Sequence, residues 1–260
     1  MGIIEIVFWI SISLVIYSTI IYPFLLNLFK KNNYDVDENY LPTVTLIICA
    51  YNEEKNILKK LKNVQELDYP LEKMQVILAD DGSNDNTVEI AKNYNFINIL
   101  SLDRSGKTSA QNESVKIAEN DILVFSDANS IYHQNAIKKL VRNFADKRIG
   151  VVCGELRYHE QRSEESMYWN YEIAIKKGES RNGWLIGANG SIYAVRRESY
   201  IPLPKDSISD HLEPIKIYGN GLDIIYESEA VAIEDPPENV LLRKRRIILR
   251  SLTSIKYILN

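Results

Sequence analysis

The feature that most constrains the fold is a regular alternation of apolar and amphipathic segments between residues 44 and 127. Residues 44–50 form a continuous apolar run rich in β-branched side chains, which is typical of a strand buried on both faces. Residues 53–65 then carry apolar side chains at helical spacing. The pattern continues with strands predicted at 75–79, 97–101 and 122–125, and with helices near 87–94 and 108–118. Such a βαβ series predicts an α/β fold, a mostly parallel sheet whose ligand crevice lies at the carboxyl ends of its strands.

Polar clusters follow two of these predicted strands directly. Asp81 lies in the cluster after the second strand, and Asp127 lies in the cluster after the fourth. Asp, Asn, Gly and Ser are also common turn and helix-cap residues, so either cluster alone could be structural. Two clusters at one edge of a sheet suit a diphosphate with a divalent cation, because Mg2+ and Mn2+ take oxygen ligands from carboxylates and phosphates. The sequence therefore predicts an acidic crevice around Asp81 and Asp127.

The amino-terminal segment, residues 3–29, is almost uncharged, with Glu5 as the exception. It is long enough to cross a hydrocarbon core, which needs about 20 apolar residues. A secretory signal fits poorly because a charged start and a small-residue cleavage site are missing; a buried core helix is the alternative. Lys30 and Lys31 follow, which favours a cytoplasmic carboxyl side. We expect a membrane anchor over residues 1–31, a linker over 32–41 and a cytoplasmic domain over 42–236.

Composition limits the partners of this domain. The chain has 31 Lys and Arg against 35 Asp and Glu, a net charge of -4, which argues against nucleic acid as its main partner. Its two cysteines, Cys49 and Cys153, each lie inside an apolar run, so buried free thiols are expected rather than a disulfide.

Five motifs, in this order, resemble those of the family 2 glycosyltransferases of the GT-A fold, particularly membrane-associated bacterial members that build surface polysaccharides. The resemblance runs from about Pro42 to Arg250 and rests on residues 42–54, 80–87, 106–108, 126–129 and 187–190. It implies a Rossmann-like, mostly parallel mixed sheet flanked by helices, with a nucleotide-binding half over residues 42–130 and an acceptor-binding half over 131–236.

The resemblance also implies roles for residues of the first half. The nucleoside pocket would be lined by Ala50, Tyr51 and Glu53, and Asp81 would accept a hydrogen bond from uracil. Lys107, with Arg104 nearby, would face the nucleotide, although Lys107 also suits the solvated start of a helix.

The same resemblance assigns a metal motif to residues 127–129. Asp127 matches its first acid, whereas Asn129 stands where the family usually has a second. An amide oxygen can ligate Mg2+ or Mn2+ but brings no charge, so we expect a weaker cation site that depends on the diphosphate and water.

The resemblance places the catalytic base and the sugar site in the second half. Asp210 would take the proton of the acceptor hydroxyl, and the residue before it, an acid in the family, is Ser209. A helix cap is the alternative role for Asp210. The sugars would lie beside the loop of Gly187, Asn189 and Gly190. Trp184 could stack on a sugar ring, although a lone Trp is more often part of a core.

The carboxyl-terminal segment, residues 237–260, mixes basic and apolar residues. A basic amphipathic helix on anionic lipid and a helix packed on the catalytic domain are both compatible with it. Arg246 matches the arginine of a family motif and would neutralise the departing diphosphate. The flanking positions of that motif, Arg243 and Ile247, differ from the Gln and Trp of processive polymerising synthases.

The sequence as a whole predicts an inverting hexosyltransferase that uses a UDP-sugar and a saccharide or lipid-linked acceptor in cell-surface polysaccharide synthesis. The alternative is a catalytically weak or inactive nucleotide-sugar-binding or scaffold protein, truncated relative to its family. A nucleotidyltransferase is a weaker alternative, because residues 50–54 do not form the Gly-rich, Arg-containing loop expected of one.

Overall fold

The computed structural model describes residues 2–26, 28–29, 32–159, 163–185 and 187–236. Within them a single eight-stranded sheet has the order β3-β2-β1-β4-β7-β6-β8-β5. Its strands are β1 Val44–Ala50, β2 Met74–Asp80, β3 Ile97–Ser101, β4 Ile122–Asp127, β5 Ile131–Tyr132, β6 Ile149–Tyr158, β7 Ile192–Arg196 and β8 Asp223–Glu234. The helices of this domain are α3 Glu54–Gln65, α4 Thr87–Ala91, α5 Lys107–Lys116, α6 Ala136–Val141, α7 Ser163–Arg181 and α8 Ser209–Gly219. The predicted α/β fold is confirmed.

The first four strands form the predicted parallel sheet. Strand β1 pairs with β2 on one side and with β4 on the other, and β3 pairs with β2. The register sets Ala50 opposite Asp80 and Cys49 opposite Asp127. These strands therefore end at the same level, which brings the two acidic clusters to one edge, as the alternation predicts.

The remaining strands make the sheet mixed. Strand β7 runs antiparallel to β4 and to β6, and β8 runs parallel to β6 with an irregularity beside Gly154. Because β7 inserts between β4 and β6, the segment before β7 reaches the edge where β4 ends. This antiparallel strand is what carries the loop 187–190 to the acidic crevice.

The sheet is covered on both faces, as its long apolar strands require. One buried cluster includes Ile57 and Leu61 of α3, and the other includes Ala110 of α5 and Ile217 of α8. Helices α3, α5 and α8 are thus fixed on a rigid sheet, and each of them begins at the edge where the site lies.

The amino-terminal helix is long and apolar enough to cross a membrane. It runs from Ile3 to Leu26, with a mean hydropathy of 2.1 in its most apolar part. It comprises α1 Ile3–Ile16, a π-helical segment Tyr17–Ile21 and α2 Tyr22–Leu26. Its side chains up to residue 21 are almost all exposed, which suits contact with lipid.

The segment predicted as a linker is bound to the domain surface. The backbone N–H of Asp35 donates to the carboxylate of Asp146, and the hydroxyl of Tyr34 donates to Asp223 at 3.1 Å. Arg148 in turn donates to the backbone carbonyl of Asn33 at 2.6 Å. Residues 33–35 are therefore fixed to the domain.

Candidate active site

The carboxylate of Asp81 lies directly after β2 and is almost completely buried, with its side chain 4% exposed. It accepts hydrogen bonds from the backbone N–H groups of Ser105 at 2.7 Å and Gly106 at 3.0 Å, and from the guanidinium of Arg104. Gly106 has a φ of +100°, a conformation that favours glycine and turns the loop toward the carboxylate. Asp81 thus holds the loop before α5 against the sheet, and its contact with uracil stays a prediction.

Tyr51 and Arg104 form the outer wall of the same corner. Tyr51 follows Ala50, the last residue of β1, and its ring is exposed. The guanidinium carbon of Arg104 lies 3.5 Å from the centroid of that ring. Arg104 therefore connects the ring of Tyr51 with the carboxylate of Asp81, and an exposed ring beside a buried acceptor is suited to stacking and orienting a nucleobase.

Glu53 lies just before α3 and is bonded to the motif 80–87. Its backbone N–H donates to the hydroxyl of Thr87 at 2.8 Å, and its carboxylate accepts from the amide of Asn56 at 2.6 Å. Burial raises the pKa of Glu53, and the carboxylate of Asp127 acts in the same direction. Asp85 accepts from the backbone N–H of both Thr87 and Glu54. Asp85 and Thr87 of this motif thus have a structural role, because they fix the turn between β1 and α3.

Lys107 contacts both the end of β4 and the loop 187–190. Its ammonium lies 2.5 Å from the carboxylate of Asp127 and donates to the carbonyl of Gly190 at 3.0 Å. Burial opposes the charge of Lys107, but the carboxylates of Asp127 and Asp210 raise its pKa above its ordinary value. A Cβ at Gly190 would lie 2.7 Å from the Asp210 carboxylate and 3.0 Å from the Lys107 ammonium. Position 190 therefore requires glycine, because any side chain there would clash with two charged groups.

Asp210 lies in the first turn of α8, facing this cluster. Burial raises the pKa of its carboxyl, the positive charge of Lys107 lowers it, and the negative charge of Asp127 raises it again. The backbone carbonyl of Asp210 accepts from Ala188 at 2.6 Å, so the loop 187–190 is fixed to the start of α8. An acid whose pKa is raised is a stronger base once ionised, which is the property that proton removal from a hydroxyl requires.

The predicted sugar-site residues have different contacts in the structure. The amide of Asn189 donates to the carbonyl of Gly154 at 2.5 Å and accepts from the ammonium of Lys176 at 2.9 Å, so it fixes the loop. Gly187 has a φ of +92° and lies beside the start of α8. The ring of Trp184 packs edge-to-face on Phe29 with centroids 5.0 Å apart. Sugar contacts of these residues stay predictions.

The metal motif supplies one carboxylate to the crevice. The side chain of Asp127 is 30% exposed and pairs with Lys107, whereas Asn129 is exposed and lines a separate small cleft beside Lys59 and Glu234. Among the residues that the structure describes, no group of three or more His, Cys, Asp or Glu side chains could hold a metal ion. The donor set therefore fits a divalent cation only if the diphosphate and water provide the other ligands.

Two lysines near the crevice were not predicted. Lys60 of α3 is fully buried and donates to the hydroxyl of Ser126 at 2.7 Å and the carbonyl of Ser130 at 2.6 Å, which fixes the end of β4, where Asp127 lies, and the turn after it. Burial lowers the pKa of Lys60 to about 7. Lys176 of α7 bonds to Asn189, as described above. Arg246 and the segment 237–260 lie outside the described residues, so the predictions on them stay predictions.

A mixed sheet with acidic groups at the carboxyl ends of its parallel strands, completed by an antiparallel strand that brings a glycine-rich loop to the same edge, defines a glycosyltransferase of the GT-A fold. The chain belongs to glycosyl transferase family 2, whose model matches residues 45–201, more than half of its length.

Two curated relatives have similar sequences. The chain is 29% identical over 248 residues to poly-beta-1,6-N-acetyl-D-glucosamine synthase of Staphylococcus aureus (strain COL), covering 90% of this chain and 59% of the relative. It is 27% identical over 259 residues to the probable glycosyltransferase YdaM of Bacillus subtilis, covering 89% of this chain and 62% of the relative. The chain thus spans about three-fifths of the length of these relatives.

Solved structures share the fold. The mannosyltransferase PcManGT from Pyrobaculum calidifontis, in complex with GDP-Man and Mn2+, has a TM-score of 0.81 at 24% identity and covers 96% of this chain and 75% of its own. TarS 1-349 of S. aureus, in complex with UDP-GlcNAc, has a TM-score of 0.57 at 20% identity and covers 76% of this chain and 59% of its own.

Proposed function

We propose that this chain is a membrane-anchored, inverting glycosyltransferase that moves a sugar from a UDP-sugar to a hydroxyl of a saccharide or lipid-linked acceptor in cell-surface polysaccharide synthesis. The observation that carries the proposal is the approach of Asp127, from the nucleotide half, and Asp210, from the acceptor half, to the same lysine, Lys107. Family membership supports the reaction class. The synthase relative and the UDP-GlcNAc of TarS support a polysaccharide product and a UDP-sugar donor.

In the proposed reaction, the acceptor hydroxyl oxygen bonds to the anomeric carbon as the bond from that carbon to the diphosphate breaks. The hydroxyl proton passes to the carboxylate of Asp210, and the electron pair of the broken bond leaves on UDP. One displacement inverts the anomeric configuration. The partly buried position of Asp210 supports this role, because its raised pKa favours uptake of the proton.

Charge on the departing UDP needs a counter-charge. Lys107 is the described cation nearest to this role, because it already bonds to Asp127 and Gly190 at the centre of the crevice. Asp127, with Asn129 as a weaker candidate, would hold Mg2+ or Mn2+ together with the diphosphate. A bound cation would neutralise charge that develops on the leaving group. The Mn2+ in PcManGT supports a divalent cation, and Arg246 is proposed to add positive charge.

The nucleoside would occupy the corner formed by Ala50, Tyr51, Glu53 and Asp81, with Arg104 at its opening. The apolar helix Ile3–Leu26 supports anchoring in a membrane. Lys30 and Lys31 favour a cytoplasmic catalytic domain, since basic residues beside a span are enriched on that side. The donor would then be taken from the cytoplasm, and a lipid-linked acceptor would be reached at the membrane surface.

The proposal is tested with the full chain in lipid nanodiscs. Calorimetry with a panel of UDP-sugars identifies the donor, and transfer to membrane-extracted acceptor with Mn2+ measures turnover. Asp210→Asn should retain UDP binding and lose at least about 100-fold in transfer, a typical cost for removing a general base. Asp103→Asn, an exposed acid in the loop before α5, is the matched control.

Three outcomes are distinguishable in this assay. Near-normal transfer by Asp210→Asn would mean that another residue is the base. Retention of the anomeric configuration in the product would exclude the single displacement. UDP-sugar binding by the unaltered chain with no transfer to any acceptor fraction would favour the nucleotide-sugar-binding protein instead.

A further inference from the structure

The carboxyl-terminal part of the apolar helix packs against α7 through one face. Its contact residues Ser18, Tyr22 and Leu26 are spaced four residues apart, so they lie on the same side. The hydroxyl of Tyr22 donates to the carboxylate of Glu179 at 2.6 Å, and Glu179 is buried. The side-chain amide of Asn182 donates to the carbonyl of Leu26 at 3.3 Å. Burial in this helix is confined to the contacting end.

Gly178 of α7 shows how close this contact is. A Cβ at Gly178 would lie 2.9 Å from the Cδ1 atom of Leu26 and 3.2 Å from its Cβ. Leu26 is itself buried, at 4% exposure. A glycine on one helix therefore receives a leucine of the other, as in closely packed helix pairs.

The hydroxyl of Tyr171 replaces a backbone donor that the apolar helix lacks. In the π-helical segment the N–H of Tyr22 bonds to the carbonyl of Tyr17, five residues earlier. The next bond of this kind would join residue 23 to the carbonyl of Ser18, but residue 23 is proline and has no N–H. The hydroxyl of Tyr171 donates to that carbonyl at 2.8 Å. A carbonyl freed within one helix is thus satisfied by a side chain of the other.

The opposite side of α7 reaches the sugar-site loop. Lys176 of α7 donates to the side-chain carbonyl of Asn189 at 2.9 Å, and the ring of Trp184, just beyond α7, packs on Phe29, just beyond the apolar helix. The same helix therefore contacts the anchor on one side and the loop 187–190 on another. Displacement of the anchor would move α7 and, through it, Asn189.

We propose that residues 18–26 and α7 form a specific docking interface through which the membrane anchor positions the loop 187–190, so that the anchor is part of the acceptor side of the site. Tyr171 and Tyr22 are positioning residues in this arrangement, since they contact neither half of the acidic crevice. The effect on transfer rests on the proposed function, whereas the docking itself does not.

The first experiment uses the pair formed by Pro23 and Tyr171. Tyr171→Phe leaves the Ser18 carbonyl without its donor and should lower kcat of sugar transfer about fivefold or more, with the Kd for UDP unchanged. Pro23→Ala restores a backbone N–H for the Ser18 carbonyl but not the bond to α7, so the double variant should stay as slow as Tyr171→Phe. Ile20→Ala, on an exposed position of the same helix, is the control.

Three results of this experiment would overturn the positioning role. One is full kcat in Tyr171→Phe. The second is a loss that Pro23→Ala corrects, because the Ser18 carbonyl would then need only a donor and not the contact with α7. A loss that lowers UDP affinity by the same factor would also overturn it, because a general loss of folding gives that pattern.

The second experiment reads the docking without any activity. Cysteines introduced together by Leu26→Cys and Gly178→Cys would have Cβ atoms about 3.2 Å apart, close to the distance of disulfide-bonded pairs. Mild oxidation in nanodiscs should crosslink them, whereas Ile20→Cys with Gly178→Cys should stay uncrosslinked. Absence of the first crosslink refutes the interface. A crosslink in a chain that binds UDP but transfers no sugar would refute the proposed function and leave the interface intact.

Discussion

The buried carboxyl group of Glu213 should make the stability of this domain depend on pH. Its side chain lies fully buried in α8, one turn after the first residue of the helix, and accepts a hydrogen bond from the hydroxyl of Tyr193 at 3.1 Å. Its second oxygen, Oε1, and the carbonyl oxygen of Gln111 both lack a hydrogen-bond donor within the described residues. Burial raises the pKa of Glu213 from 4.5 to about 8. The folded chain therefore holds Glu213 neutral at pH 7, while the unfolded chain ionises it.

This difference makes the free energy of unfolding depend on pH. The folded state binds the proton of Glu213 more tightly than the unfolded state does. The stability that this proton contributes is therefore complete below pH 4.5 and is lost as the pH rises to about 8. The pKa difference is about 3.5, and a difference of one corresponds to about 1.4 kcal/mol, so the free energy of unfolding can change by at most about 5 kcal/mol. Relaxation and water penetration reduce such penalties, so we expect about 3 kcal/mol.

Glu213→Gln should remove this dependence. The new amide is neutral at every pH and its oxygen can still accept from Tyr193, so the variant should match the original chain near pH 4.5 and exceed it at pH 8. A gain of about 3 kcal/mol corresponds to about 6–12 °C in Tm for a domain of this size. Thermal unfolding in detergent, followed by intrinsic fluorescence from pH 4.5 to 8.5, measures it.

The control is Glu198→Gln, which neutralises a carboxylate that is 81% exposed. Its unfolding temperature should follow that of the original chain across the whole pH range. If Glu213→Gln also followed the original chain, Glu213 would be ionised in the folded state, and the argument from its burial would be refuted.

Three further predictions concern the crevice. Gly190→Ala should lower sugar transfer at least about tenfold with UDP binding retained, because its methyl group would meet the Asp210 carboxylate at 2.7 Å; equal loss of both in calorimetry and transfer assays would contradict this. Lys60→Met should abolish a rise in stability that the original chain shows between pH 7 and 10.5. The rise is expected because Lys60, with a pKa of about 7, is neutral in the folded chain over this range while it is still charged in the unfolded chain. If the Tm of the variant still rose with pH, another group would cause the rise. Cys49 and Cys153, whose pKa values burial raises to about 12 and about 11, should resist iodoacetamide at pH 7.5 until the chain is unfolded, and mass spectrometry of the folded protein would reveal any early alkylation.

The first half of the domain could be predicted because its signals are local. Apolar runs of strand length fix β1, β2 and β4, and the residues that follow each run must lie at the carboxyl edge of a parallel sheet. The approach of Asp81 and Asp127 to that edge follows from this pattern alone. What each acid bonds to does not follow, because the donors to Asp81 come from the loop 104–106.

Lys60 illustrates a signal that was present but incomplete. It shares the apolar face of α3 with Ile57, Leu61 and Val64, at a spacing that places it in the core. A lysine on such a face must reach a partner or be exposed at its tip. Its partners, Ser126 and Ser130, are 66 and 70 residues away, so only the fold identifies them.

The second half gave weaker signals because its strands pair out of sequence order. Strand β7 lies between β4 and β6, and this insertion cannot be read from a hydrophobic pattern. In helix α7 the charged residues Lys177 and Glu179 flank Gly178, so the sequence around the contact with the apolar helix is not recognisably apolar. The small residue Gly178 and the hydroxyl of Tyr171 form that contact instead.

The charge balance of the crevice constrains how a donor can bind. Asp127 and Asp210 both face the ammonium of Lys107, and these three groups carry a net negative charge when the acids are ionised. A diphosphate adds further negative charge in a partly buried site, where repulsion is stronger than in water. Entry of a diphosphate is therefore favoured by a bound cation, or by a shift of Lys107 from Asp127 toward the phosphates. Since Lys107 also bonds to Gly190, which packs on Asp210, a donor that shifts Lys107 would alter the surroundings of the proposed base. In the proposed reaction, donor binding and the state of Asp210 are thus coupled through the side chain of Lys107.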